Sequence, residues 1–81
     1  MKIKALNILG WAGVILILLA FTINVFGVLA SGSFAYLFMN LLGSSFILFE
    51  TFTRKDYQPA FLNLIWAIVA LTMLLKIFFL R

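Results

Sequence analysis

The 45 residues from Ala5 to Phe49 carry no charged side chain. As one helix that run would measure roughly 68 Å at ~1.5 Å per residue, about twice the ~30 Å hydrocarbon core of a bilayer. The chain must therefore reverse inside it. Lipid as the surrounding solvent follows from composition: 67% of the 81 residues are hydrophobic, against ~45–50% in an ordinary soluble domain. A chain of this size buries only about 60% of the surface its unfolded form exposes, so so much Leu, Ile, Phe and Val would otherwise face water.

The reversal falls at Ala30-Ser31-Gly32-Ser33, where Gly32 is suited to positive φ and Ser33 to capping the next helix. A second break is expected at Thr53 to Gln58, with Asp56 as a helix cap and Pro59 in the first turn beyond it. The sequence thus predicts a single all-α integral membrane domain over residues 1–81, with three transmembrane helices at about 7–29, 33–52 and 59–79. An apolar run after Lys2 and Lys4 that ends in Val28-Leu29-Ala30 also resembles a secretory signal, but it exceeds the ~7–15 residues of a signal core and is expected to be retained.

The eight charges cluster as Lys2 and Lys4; Glu50, Arg54, Lys55 and Asp56; and Lys76 and Arg81. The net charge of +4 therefore flanks apolar spans and meets lipid head groups, which argues against nucleic acid as a partner. Four basic residues beside the amino terminus and second loop, against two at the carboxyl end, favour a cytoplasmic amino terminus. With no Cys and no His, thiol and imidazole catalysis and Cys/His metal sites are excluded. Neither an enzyme nor a bound cofactor or metal is expected.

In the first span Gly10, Ile17 and Asn24, and beside them Gly13, Ala20 and Gly27, recur every seven residues. They form one helix-packing seam, with small residues allowing close backbone approach and Asn24 serving either a neighbouring helix or a ligand. That seam is the expected interface of a homodimer. In the second span Ser33, Tyr36, Asn40, Gly43, Ile47 and Glu50 share a face, a polar stripe that must turn toward protein or toward a water-filled cavity. Glu50 reads either as an interfacial i,i+4 ion pair with Arg54 or as a gate. In the third span Asn63 and Trp66 lie one turn apart. An amide and an aromatic plate together suit a small polar solute, although both also serve packing. Trp11 and Tyr57 read as interfacial anchors. Counting back from and forward of the first turn puts Asn24 and Asn40 in one layer, roughly 11–13 Å from it, with Asn63 and Glu50 at a second level nearer the other loop.

Leu9-Gly10-Trp11, Asn40-Leu41-Leu42-Gly43, and Pro59 followed four residues later by Asn63 resemble the short three-helix bacterial proteins of the PQ-loop superfamily, which includes the SemiSWEET sugar transporters. The resemblance implies a SemiSWEET-like three-helix bundle whose third helix sits between the first and second. It also implies a bacterial inner membrane, a homodimer, and a carrier or channel with Asn63 at the substrate site; the residues themselves add Trp66, Asn40 and Tyr36 as candidates for the same site. The chain departs from that pattern where it reads Phe21-Thr22-Ile23-Asn24 in place of the superfamily's Pro-Gln pair, and where Ile47 replaces a second-helix Trp. The other expectation from the residues is a membrane helix bundle that serves as a structural or interaction subunit and moves nothing. The two differ in whether the stripe of Tyr36, Asn40, Gly43 and Glu50 faces a hydrated cavity or dry protein.

Overall fold

A computed structural model of the chain describes residues 3–79. Lys2 and Arg81, counted in the charge argument above, lie outside them. The described residues form three helices, α1 (Ile3–Val25), α2 (Phe34–Thr53) and α3 (Tyr57–Phe79), with no strand among them. Each is long and apolar enough to cross a membrane. The molecule extends 40 Å along its longest axis, which accommodates a ~30 Å hydrocarbon core with its interfaces.

The helix ends follow from local chemistry. At the close of α1 the amide of Val28 donates to the Ile23 carbonyl at 3.2 Å, and that of Gly27 to Asn24 at 2.9 Å. This is a Schellman motif, whose C′ residue must be left-handed, and Gly27 holds φ at +80°. It stops α1 four residues before the expected boundary, so Phe26–Ser33 form the connection. The positive-φ glycine is thus Gly27 and not Gly32, whose φ lies outside the left-handed region. Ser33 then caps α2, its side chain accepting from the Tyr36 amide at 3.2 Å. A second Schellman motif ends α2, with Asp56 N–H on the Thr51 carbonyl at 2.8 Å and Lys55 N–H on Phe52 at 3.1 Å. Here the left-handed position is filled by Lys55, at φ 61°. The Asp56 carbonyl accepts from Ala60, which opens α3 with Pro59 as its third residue, where a missing amide hydrogen breaks no helical bond.

α2 is the central element: α1 and α3 each pack against it and not against each other. The order is therefore 1-2-3, which differs from the SemiSWEET-like order with the third helix in the middle. Loops of eight and three residues join neighbours directly, and α2 carries two small-residue faces that receive one helix each. Toward α1 it presents Gly43, Ile47 and Glu50. Its buried set of Leu37, Asn40, Ser44 and Thr51 includes the Asn40 side chain bonded to α3. At ~100° per residue these two sets are centred roughly 80–85° apart around α2, so α1 and α3 occupy neighbouring faces of it.

The two contacts use different devices. On α1 the buried residues are Leu6, Gly10, Gly13 and Ala20, and Gly13 meets Gly43 backbone to backbone. A Cβ at Gly13 would lie 2.5 Å from the Gly43 carbonyl oxygen, and one at Gly43 would lie 2.8 Å from that of Gly13. On α3 the buried stripe is Ala60, Asn63, Ala67, Ala70 and Leu74, spaced three and four apart so that one small-residue edge faces α2. Most large apolar side chains, including Phe21, Phe61, Ile68 and Leu75, point outward, as expected where lipid is the solvent.

Candidate functional site

Polar side chains inside a span are tolerable only when their hydrogen bonds are closed locally. Most of those here bond to the carbonyl one turn back in their own helix. Asn40 Nδ2 donates to Tyr36 O at 2.9 Å, Ser44 Oγ to Asn40 O at 2.7 Å, Thr51 Oγ1 to Ile47 O at 2.7 Å, and Asn63 Nδ2 to Pro59 O at 2.8 Å. No fully buried side-chain nitrogen or oxygen among the described residues lacks a partner.

Among the described residues two long-range side-chain hydrogen bonds join different parts of the bundle, one on each side of α2. On the α3 side the Trp66 indole Nε1–H donates to Asn40 Oδ1 at 2.9 Å. Around this bond lies an open groove of about 340 Å³, walled by Tyr36, Leu37 and Asn40 of α2 and by Leu62, Trp66 and Val69 of α3. Three of the four residues expected at a solute site therefore do share one groove. Asn63 does not belong to its wall. It is buried, on the α3 stripe that meets α2, while Trp66 is turned out by one position and remains nearly half exposed. The pairing of Asn63 with Trp66 around one ligand is thus replaced by a pairing of Trp66 with Asn40, because one residue of offset from the packing stripe separates a helix's interior from its flank.

On the α1 side the Arg54 Nε pairs with Glu50 Oε2 at 2.6 Å, and the same guanidinium donates to Asn7 Oδ1 through its terminal nitrogen. The side chains of both charged residues stay partly exposed, 33% for Arg54 and 19% for Glu50. Arg54 thereby ties the start of α1 to the loop after α2 and places Lys4 at the same end of the bundle as Lys55. The Glu50 side chain lies across Gly10: a Cβ there would be 2.8 Å from Oε1. Beside it opens a cleft of about 230 Å³ walled by Asn7, Gly10, Trp11, Val14 and Glu50.

The α1 seam divides into parts with different duties. Gly10, Gly13 and Ala20 are buried, with Gly10 and Gly13 lying against α2, so the expected dimer face is occupied inside the protomer. Gly27 has no atom near a notional Cβ and serves as the helix terminator. Asn24 Nδ2 donates to Leu29 O at 2.8 Å, closing the first connection instead of joining helices. Since α1 ends at Val25, Asn24 sits at its rim, whereas Asn40 is two turns inside α2; the two amides do not share a layer. Sequence reasoning passed over Asn7. The one signal for Asn7 was its position a turn before Gly10, on the helix that the second loop returns beside.

No cluster of residues suited to a metal ion occurs among the described residues. The chain belongs to a protein family whose model matches residues 6–81. No curated protein and no solved structure matches it.

Proposed function

We propose that this protein is a non-transporting membrane helix bundle, acting as a structural or interaction subunit within the bilayer. The observation that carries this reading is the state of the α2 polar stripe. Asn40 is engaged by Trp66 and by its own helix, Gly43 is pressed against Gly13, and Glu50 is held by Arg54. The stripe serves cohesion between helices, the dry alternative of the two that a polar face in lipid allows. The basic end formed by Lys4, Arg54 and Lys55 supports a cytoplasmic amino terminus, and we place the protein in a bacterial inner membrane. Association with a second copy or a larger partner would use the outward faces of α1 and α3, since the glycine seam is already filled. The test is flux into proteoliposomes across sugars, amino acids and nucleosides, with crosslinking in the same vesicles. The reading requires no flux above protein-free vesicles together with a crosslinked assembly; saturable uptake of any of these solutes refutes it.

A second reading, a homodimeric carrier or channel for a small polar solute, is favoured by the convergence of Tyr36, Asn40 and Trp66 on one groove. A second protomer would have to close that groove. Against it, the wall is chiefly apolar and the indole N–H is already bonded to Asn40, so a sugar would find few groups with which to replace its water. The same flux experiment separates the two.

A further inference from the structure

We propose that the cleft between α1 and α2 at Glu50 binds the headgroup of a zwitterionic aminophospholipid, its primary ammonium against Glu50 and its phosphate against Arg54 and Lys55. This goes beyond the subunit reading and does not depend on it. The argument begins with Gly10. Because that residue has no side chain, Glu50 folds down over α1 instead of reaching to water, and the carboxylate becomes part of a cleft wall. The ion pair with Arg54 is made through Oε2. Oε1 faces the Gly10 side of the cleft, and an ionised carboxylate accepts about four hydrogen bonds in all. The exposed indole of Trp11 lines the same cleft and offers an electron-rich face to a cation.

Charge balance selects the ligand class. Glu50 and Asp56 sit with Arg54 and Lys55 within seven residues of chain, and Lys4 lies at the same end, so this corner holds both signs and can meet both ends of a zwitterion. The guanidinium has five N–H donors in a fixed fork, of which Nε faces Glu50 and one terminal nitrogen faces Asn7. Lys55 follows directly, and Lys4 lies three residues before Asn7 on α1. Depth selects the source. Glu50 lies three residues from the end of α2, about 5 Å of helix inside its terminus, where the amine and phosphate of a bilayer lipid lie side by side. A compact ammonium with three donors fits a carboxylate in a narrow cleft, whereas a quaternary one offers no donor.

The test is a headgroup methylation series. The purified protein in detergent micelles is given phosphatidylethanolamine, its mono- and dimethyl derivatives, and phosphatidylcholine of the same chains. Lipid retention is read by native mass spectrometry and stability by thermal unfolding. We expect retention and melting temperature to fall stepwise along the series, with phosphatidylethanolamine held at least about tenfold more tightly than phosphatidylcholine, the scale of one charge-assisted hydrogen bond. Glu50→Gln should flatten the series. Equal retention of all four lipids by the wild type, or better retention of phosphatidylcholine or of phosphatidylglycerol, overturns the proposal. So does a series that survives in Glu50→Gln, or an equal thermal shift from soluble phosphoethanolamine, which would assign the cleft to a free solute. Should Glu50→Gln fail to fold, the wild-type series alone decides.

Discussion

Replacing Gly13 with Ala tests the arrangement of the bundle more directly than any change at a polar residue. The new Cβ would lie 2.5 Å from the Gly43 carbonyl oxygen and 2.8 Å from Ile47 Cγ1, where ordinary van der Waals contact begins at 3.4 Å. The Ile47 terminus can rotate away, but a backbone carbonyl in the middle of α2 cannot. The helices must therefore part by about 0.9 Å, and a gap of ~0.5–1 Å forfeits a quarter to a half of each dispersion contact it opens. Overpacking of this kind typically costs ~1–3 kcal/mol, and the upper half of that range applies because the obstacle is a backbone atom; Ala returns up to ~1 kcal/mol over Gly as a helix former, so the net loss should be about 1–2 kcal/mol. In lipid no hydrophobic drive between helices compensates.

Gly43→Ala makes the reciprocal clash at 2.8 Å from the Gly13 carbonyl and should cost somewhat less. The double variant should cost less than the two singles combined, because one separation relieves both clashes. Gly32→Ala, with nothing within 4 Å of the new methyl group, is the neutral control. The assay is reversible unfolding in mixed micelles with increasing sodium dodecyl sulfate, followed by circular dichroism. Gly13→Ala as stable as the wild type, or additive effects in the double variant, would refute the close α1–α2 crossing. If the seam instead joined two protomers, Gly13→Ala would lower the oligomer fraction and leave monomer stability unchanged.

Lys55→Gly should stabilise the protein by about 0.5–1 kcal/mol, since a left-handed non-glycine residue is strained by roughly 1–2 kcal/mol and Gly recovers that at some entropic cost; the same unfolding assay reads it. Gly27→Ala, at φ +80°, should go the other way by about 1 kcal/mol. A double-mutant cycle with Asn40→Leu and Trp66→Phe should give a coupling near ~0.6 kcal/mol and no more than ~1.7, the range for interhelical hydrogen bonds in membranes. Zero coupling would mean the 2.9 Å bond contributes nothing to holding α3.

Helix number was legible because charge placement alone dictates it: Ala5 to Phe49 is too long for one crossing, and the Arg54-Lys55-Asp56 cluster cannot enter lipid. The start of α2 was legible because a Ser cap acts through its own local bond. The end of α1 was misplaced because two glycines, Gly27 and Gly32, competed for one duty. The chain uses the earlier one, and sequence cannot rank two glycines by φ without knowing which carbonyls await a Schellman bond.

What a periodic pattern leaves open is the partner of a face. Gly10 and Gly13 of the α1 seam lie close against α2, yet the same spacing serves a helix of the same chain or of another copy. Short connections tip the balance toward the intramolecular choice: α2 is delivered beside α1 at no cost in association entropy, whereas a dimer must overcome it. Once Gly13 and Gly43 meet, that face of α2 is filled, and α3, following a three-residue loop, takes the next face around, where Asn40, Ser44 and Thr51 are buried. The order 1-2-3 follows from this filling. The fate of Asn63 and Trp66 follows as well, because the Ala60, Ala67 and Ala70 edge that seats α3 rotates Asn63 inward and leaves Trp66 at the flank, where its indole reaches Asn40. The residue that resemblance singled out for ligand binding thus becomes part of the packing, and the aromatic one position off the seam remains open to the bilayer.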